Sequence, residues 1–246
     1  MRCLAVCVLG AMAGSGHGAE GFRPAEATAP SAYAALLEKY ASPQGVRYAA
    51  WHLSAEDMRA IEAVVAFYAG TLPPADRDAS LAWHINAYNA WVLQNILKKY
   101  PTKGPLDGEL LFFHGKRIVI SGKKTSLHEF EQGVIRPTFK EPRVHFALNC
   151  ASASCPPLHA APFLAEGLDS RLDALAREFL NRNPRAPRLE NGGKTVWLSK
   201  IFDWYKEDFG GPDGIIPYIN RYRDAKLSSG VGVRFMDYDW SLNEAR

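Results

Sequence analysis

Thiol and imidazole side chains are concentrated in one short segment near the middle of the chain. This segment contains His145, Asn149, Cys150, Cys155 and His159. A thiolate is a strong nucleophile when an imidazole or a helix N-terminus stabilises it, and two thiols can also form a disulfide or bind a metal ion. The segment is therefore the predicted functional site.

Cys155 is the favoured nucleophile of this segment. Pro156 suits the first position of a helix, which would make Cys155 the N-cap, where free backbone N–H groups stabilise a thiolate. The run 143–149 predicts a buried strand, and Cys150 continues its apolar face. His145 lies five residues before Cys150, roughly 16 Å along a strand at about 3.3 Å per residue, so it can act as the base only if the chain turns.

Three polar residues outside this segment are candidates for supporting roles. Asn86 and Asn89 are three residues apart on a predicted helix and share a face. They either brace a neighbouring loop or orient a catalytic histidine, as an asparagine does in Cys-His-Asn hydrolases. Glu131 either orients that histidine or pairs with Arg136 or Arg143.

Two other uses of the thiols remain open. An even pair of cysteines in an oxidising compartment permits a disulfide, and the short Cys150–Cys155 separation suits a redox or site-shaping bridge. Alternatively, His145, Cys150, Cys155 and His159 offer two nitrogens and two sulfurs, but their spacing matches four-ligand zinc sites weakly. We therefore predict no metal and no cofactor.

Composition restricts the classes of protein. The chain has 246 residues, of which 47% are hydrophobic and 22% charged, with a formal net charge of +3, which is typical of a globular protein. This charge balance does not favour binding to nucleic acid or to a membrane surface.

The first nineteen residues have the pattern of a secretory signal peptide, with a basic start, an apolar centre over 3–13 and a small-residue tail. The apolar centre is shorter than the roughly 20 residues that span a bilayer, and no later stretch is long enough. The sequence therefore predicts cleavage near Gly18 or Ala19 and a periplasmic or secreted protein. After signal removal it would have no integral membrane segment, and residues 20–246 would form one domain.

Helices and short strands alternate irregularly along this domain. Periodicity and capping predict helices over about 31–40, 54–69, 79–100, 126–135, 165–181, 200–209 and 215–222. Strands are predicted over 46–52, 143–149, 195–198 and 231–238, with a hairpin over 112–120 around His114-Gly115. Because no regular strand-helix-strand repeat occurs, we predict an α+β fold, a single largely helical domain with a small mixed or antiparallel sheet.

Six sequence blocks resemble a known family, domain of unknown function 547. They are WHINAYNA (83–90), LHEFE (127–131), PRVHFALNC (142–150), SCPPL (154–158), LSKIFDWY (198–205) and YDWSLN (238–243). The match covers about 80–243, although His84 stands where the family more often has an apolar residue. The resemblance implies an exported bacterial protein with a largely helical α+β domain and no established reaction. The residues that fall on the family's motif positions are Asn86, Asn89, Glu131, His145, Asn149, Cys150 and Cys155.

The favoured function is a cysteine-dependent hydrolase or acyl transferase, loosely like papain or transglutaminase. In this hypothesis Cys155 or Cys150 attacks a carbonyl and His145 takes the proton. The substrate would be a small molecule or a peptide. The alternatives are a thiol redox or metal-handling module and a non-catalytic binding domain. The predicted catalytic residues are Cys155, Cys150, His145, Glu131 and Asn86, and the predicted binding residues are Asn89, Asn149 and His159.

Overall fold

The computed structural model describes residues 29–107 and 111–245. The signal peptide predicted at residues 1–19 lies outside this part. The α-helices are α1 (Ala29–Tyr40), α2 (Tyr48–Leu53), α3 (Ala55–Gly70), α4 (Arg77–Lys99), α5 (Leu127–Phe130), α6 (Arg136–Phe139), α7 (Leu168–Asn181), α8 (Ile201–Trp204) and α9 (Ile215–Tyr222). A π-helix, Glu131–Ile135, joins α5 to α6, and 3₁₀ segments cover Pro142–Phe146, Asn191–Gly193 and Lys206–Phe209.

The strands are short and form three small sheets. They are β1 (Ala41–Ser42), β2 (Gly45–Val46), β3 (Ile118–Ile120), β4 (Lys123–Thr125), β5 (Arg188–Glu190), β6 (Thr195–Leu198) and β7 (Gly232–Phe235). β1 pairs with β2 and β3 with β4, both antiparallel. β6 is the centre of a mixed sheet, antiparallel to β5 and parallel to β7. The predicted α+β class, largely helical with a small mixed sheet, is confirmed.

Side-chain caps explain where the principal helices begin. Ser54 accepts the N–H of Asp57 at the start of α3, and Asp76 accepts the N–H of Ala79 at the start of α4. Ser126 and Glu129 form a complete capping box before α5. Each cap satisfies a backbone donor that the first turn of a helix leaves free.

Helix α4 lies at the centre of the fold and is buried on nearly all its faces. Such a helix can only exist where other elements cover it. Its buried side chains belong to one hydrophobic cluster that also takes in α1, α3, α7 and α9. Asn86 and Asn89 therefore stand in an apolar interior and need protein partners.

The structure corrects two predicted strand regions. The predicted strand 46–52 is mostly helix α2, because Tyr48 and Trp51 are three residues apart and bury one helical face. The hairpin turns at Ser121-Gly122 rather than at His114-Gly115. Both turn residues have positive φ, +50° and +78°, as the tight turn of a two-residue hairpin requires.

The predicted central strand 143–149 is also wrong, because Pro142–Phe146 is a 3₁₀ helix. Glu141 caps this helix by accepting the N–H of Arg143 at 3.1 Å. The Arg143 guanidinium then binds Glu141 at 2.7 Å and reaches Asp169 and Asp173 on α7. These ion pairs hold a compact turn where the residue types favour extension, so the predicted alternation of side chains does not apply.

No helix begins at Pro156, so the prediction that Cys155 is an N-cap is wrong. The backbone after Cys155 is irregular through His159. Pro157 gives the reason, since a residue that precedes a proline is disfavoured in the α region, and here that residue is Pro156.

Within the described ranges, no helix is both long enough and apolar enough to cross a membrane.

Candidate functional site

A pocket of about 220 Å³ brings together most of the predicted chemistry. Glu131, His145, Cys150 and Cys155 all line it. His145 and Cys150 reach one cavity because Pro142–Phe146 is a 3₁₀ helix and not an extended strand. The remaining wall is largely aromatic, with Tyr88, Phe113, Trp204, Tyr205, Tyr238 and Trp240, and two further imidazoles, His114 and His128, complete it.

Cys150 and Cys155 form a disulfide on the pocket wall. The Sγ atom of Cys150 lies 3.2 Å from the Tyr238 hydroxyl and 3.1 Å from that of Ser152. The Sγ atom of Cys155 accepts the backbone N–H of Cys150 at 2.8 Å. Burial raises the pKa of Tyr238 to about 12, so its phenol keeps its proton and can donate to the sulfur. Cys150 thus has two hydroxyl neighbours that would stabilise a thiolate.

The loop that carries the cysteines, residues 149–156, is fixed from within by Asn149. The Asn149 Oδ1 atom accepts the N–H of Ala151 at 3.0 Å, and its Nδ2 atom donates to the carbonyl of Pro156 at 2.8 Å. Ala151 is fully buried with φ of +62°. An alanine in the left-handed region costs of order 1–3 kcal/mol, so the surrounding contacts must impose this conformation.

Residues 239–244 fix the same loop from outside. The N–H of Ala153 donates to the carbonyl of Ser241 at 2.7 Å, and the N–H of Asn243 donates to the carbonyl of Ala151 at 3.1 Å. Ser154 Oγ accepts the N–H of Asp239 at 2.8 Å. Backbone pairing with a distant segment therefore sets the position of both cysteines.

The two asparagines of α4 brace loops. Asn86 donates to the carbonyl of Phe163 and accepts its N–H, both at 2.8 Å. Asn89 donates to the carbonyl of Ala147 at 2.9 Å and accepts the N–H of Asn149 at 2.8 Å. The bracing alternative thus describes both amides, and neither contacts His145.

His145 is oriented by Asp208 rather than by Glu131 or Asn86. Its Nε2 atom lies 2.7 Å from Asp208 Oδ2, and its ring stacks on Tyr205 with centroids 4.0 Å apart. Arg136 binds both oxygens of Asp208, at 2.6 and 2.8 Å. Burial alone would raise the pKa of Asp208, but the bonds from His145 and Arg136 outweigh it and lower the pKa well below its usual range. Asp208 is therefore a carboxylate that holds one ring nitrogen and leaves Nδ1 without a partner among the described residues.

Glu131 begins the π-helix and is 7% exposed. π-Helical turns occur frequently at functional sites because they displace a side chain from the regular helical face. The Tyr88 hydroxyl donates to Glu131 Oε2 at 3.3 Å. Burial, followed by the charge of Glu131, raises the pKa of Tyr88 and of Tyr205 well above the ordinary value. Both phenols are thus neutral donors beside the carboxylate.

His159 lies away from this pocket. It lines a different cavity with Pro43 and Glu178. Burial, together with the charge of Arg171, lowers its pKa to about 4. The predicted four-residue metal set is therefore not assembled, and among residues 29–107 and 111–245 no three His, Cys, Asp or Glu side chains could hold a metal ion together.

Sequence reasoning missed several residues of the site. Asp208 and Arg136 were not proposed as partners of His145, and no motif marks Asp208. The tyrosines and tryptophans had a visible signal, because Tyr88, Trp204, Tyr205, Tyr238 and Trp240 all lie inside the blocks that carry the family resemblance.

Comparison with known proteins found one family model that matches part of the chain. The model of a family described as protein of unknown function, DUF547, matches residues 73–180. That range holds Glu131, His145 and both cysteines, whereas Asp208 and the blocks at 198–205 and 238–243 lie beyond it. Neither the curated proteins nor the solved structures gave a match. The match over residues 73–180 confirms the predicted resemblance to this family.

Proposed function

We propose that the protein is a cysteine-dependent hydrolase or acyl transferase with Cys150 as the nucleophile of its reduced form. The observation that carries the proposal is that Cys150 and His145 line one pocket while Asp208 holds the Nε2 atom of that histidine. A nucleophile, a base and a group that orients the base are the parts of a thiol hydrolase. Asp208 takes the orienting role first assigned to Glu131 or Asn86.

The reaction begins from the dithiol, which two equivalents of an external thiol produce from the disulfide while they are oxidised to their own disulfide. His145 takes the proton of Cys150, and the thiolate forms a bond to the substrate carbonyl carbon. The leaving group departs with that proton. Water or an amine then cleaves the thioester and regenerates the Cys150 thiol.

Cys150 replaces Cys155 as the favoured nucleophile for two reasons. The helix N-terminus that favoured Cys155 does not exist, and the Tyr238 and Ser152 hydroxyls lie beside the Cys150 sulfur. Hydrogen bonds to the charged form lower a pKa. Cys155 serves as the disulfide partner that closes the site under oxidising conditions. The predicted export would provide such conditions, and an intact mass starting at Ala19 or Glu20 would check it.

The test combines alkylation and acylation of the reduced protein. We expect iodoacetamide to label Cys150 well below the ordinary thiol pKa of about 8.5, and p-nitrophenyl acetate to leave an acetyl group on Cys150 in the mass spectrum. Cys155→Ser should keep both reactions, and Cys150→Ser should lose them. His145→Ala should return the alkylation profile toward that of a free thiol, whereas the matched change His52→Ala, outside the pocket, should not.

If both cysteines are alkylated with the pH dependence of an ordinary thiol, and His145→Ala does not change it, the hydrolase proposal is contradicted.

A second candidate function uses the disulfide itself. In that function a substrate thiolate attacks one sulfur, forms a mixed disulfide and releases the other cysteine as a thiolate. Mixed-disulfide formation with glutathione, without any acetyl transfer, would select this redox module. The absence of both reactions would leave the non-catalytic binding domain.

A further inference from the structure

Glu131 is a buried carboxylate without a positively charged partner. It is 7% exposed, and its partners are the neutral Tyr88 hydroxyl at 3.3 Å, the neutral Tyr205 hydroxyl and the Gln132 amide at 3.4 Å. No lysine or arginine of the described residues forms an ion pair with it. A glutamate is almost never buried this far unless it is paired, and a carboxylate can accept about four hydrogen bonds. None of these donors carries a charge, so a cationic group bound in the pocket would supply the ion-pair partner that Glu131 lacks among the described residues.

The nearby guanidinium does not fill this role. Arg136 binds both oxygens of Asp208, and its charged end lies 5.0 Å from the centroid of the Tyr205 ring. Arg136 and Asp208 cancel one another. Among the residues that line the pocket, Glu131 is the one carboxylate and none is a lysine or an arginine, so the lining favours a cation.

Three aromatic rings of the pocket lining form a half-open cage. Trp204, Tyr238 and Trp240 contact one another, with centroids 4.7 Å apart for Trp204 and Tyr238, 4.7 Å for Tyr238 and Trp240 and 5.8 Å for the two tryptophans. The planes of Trp204 and Tyr238 are inclined by 53°, so the rings present differently directed faces. Trp204 is 44% exposed. Aromatic faces attract ammonium groups, and several rings at an angle surround one.

We propose that this pocket binds an alkylammonium group of the substrate, with Glu131 as the counter-charge and the Trp204, Tyr238 and Trp240 rings as its cage. The volume of about 220 Å³ is below the roughly 300–1,000 Å³ of pockets that enclose drug-sized ligands. The pocket therefore takes a head group while the rest of the substrate stays outside. This assignment rests on the proposed function only because it treats the pocket as the substrate site. The substrate with the ammonium group would be either the amine that accepts the acyl group or the acyl donor itself.

Binding of small cations to the full-length disulfide form tests the proposal without any turnover. Choline and ethanolammonium are compared with their neutral counterparts 3,3-dimethylbutan-1-ol and propan-1-ol by calorimetry, with tryptophan fluorescence as a second readout. The measurement is made at pH 8. We expect at least one cation to bind at least tenfold more tightly than its counterpart. If neither cation binds more tightly than its neutral counterpart, the proposal is wrong.

Two variants locate the binding. Glu131→Gln and Trp204→Leu should each lower the affinity for the cation at least tenfold. Glu62→Gln and Trp197→Leu change the same residue types outside the pocket and should leave this affinity unchanged. If Glu131→Gln fails to fold, Trp204→Leu decides, because Trp204 stands at the partly exposed edge. Unchanged cation binding in the folded variants would overturn the assignment. Since Cys150 and Cys155 carry no thiol in the disulfide form, a failure here does not affect the proposed nucleophile, and failed alkylation does not affect the proposed cation site.

Discussion

His145 is held at one ring nitrogen, and this leaves the other free for chemistry. Asp208 fixes Nε2, Arg136 fixes Asp208, and Tyr205 covers one face of the ring. An imidazole restrained in this way loses little freedom when it accepts a proton, which is the purpose of an orienting carboxylate. The arrangement is the strongest reason to look for acid–base chemistry in the pocket.

His159 gives a prediction for stability against pH. Its pKa is lowered from 6.5 to about 4 in the folded protein, so between these values the unfolded chain binds the extra proton. The stabilising contribution is therefore complete above about pH 6.5 and is lost as the pH falls toward 4. Urea unfolding from pH 7 to pH 4 should show the loss, on the order of 1–3 kcal/mol. The free energy of unfolding of His159→Gln should fall less over this pH range. The exposed control His114→Gln should show the same pH dependence of stability as the parent. Parallel curves for the parent and His159→Gln would contradict the prediction.

Residue types and motif positions identified several residues that the fold brings to one pocket. Glu131, His145, Cys150 and Cys155 were proposed from the sequence, and all four line the pocket. Asp208 could not be proposed, because it lies 63 residues from His145 along the chain and resembles any aspartate in a surface turn. Only the tertiary fold brings the two side chains together.

Helix α4 acts as a rigid base for two loops. The side-chain amides of Asn86 and Asn89 each donate one hydrogen bond to a backbone carbonyl and accept one from a backbone N–H. They thus replace the backbone pairing that a sheet would supply. The amide side chain is suited to this because it carries both a donor and an acceptor. The helix thereby positions the cysteine loop through Asn89 and the segment at Phe163 through Asn86.

Removing one of these amides should destabilise the protein. Asn86→Ala leaves the N–H and carbonyl of Phe163 unpaired in a buried place, which costs about 1–3 kcal/mol for each unsatisfied group. Urea denaturation should show a lower free energy of unfolding. Asn95→Ala, on the same helix but less buried, should change it by less than about 0.5 kcal/mol. Equal effects of the two changes would contradict the bracing role of Asn86.

Helices with a clear apolar face and a cap were predictable, and the 3₁₀ and π segments were not. In the sequence, α3 and α5 are indicated by the capping residues Ser54 and Ser126 and by the spacing of apolar residues. The run 143–149 is rich in residues that favour strands, and the cap from Glu141 together with the ion pairs of Arg143 favours the 3₁₀ turn instead. Such tertiary contacts override local preference, which is why the geometry around His145 had to come from the structure.

At the scale of the whole molecule, residues 239–244 connect distant parts of the fold. They pair with the cysteine loop at Ser152 and with β2 at Val46. Gly45 lies directly beneath them, with φ of +127°, and a Cβ there would collide with the carbonyl of Asn243 and lie 2.9 Å from the N atom of Ala245. The absence of a side chain at Gly45 is therefore a condition for this connection.

Gly45→Ala should therefore destabilise the whole protein by more than about 1 kcal/mol, because both the backbone angle and the contact are incompatible with a side chain. Thermal unfolding measures the effect. Gly70→Ala is the matched control, since nothing lies within 4 Å of its added Cβ and the position is helical. Equal melting temperatures for Gly45→Ala and the parent would show that residues 239–244 are held loosely.

The dependence of the cysteine loop on residues 239–244 also has a consequence in time. Ser154 and Asp239 are separated by 85 residues. At a synthesis rate of about 5–20 residues per second, the partners of the loop emerge on the order of 4–17 s after it. During that interval both thiols belong to a segment whose native backbone partners do not yet exist. An oxidant that reaches the growing chain acts on the two thiols before the pocket has formed, whereas a later oxidant acts on them in the folded pocket. The order of oxidation and folding therefore decides whether the newly made protein first folds as the disulfide or as the dithiol.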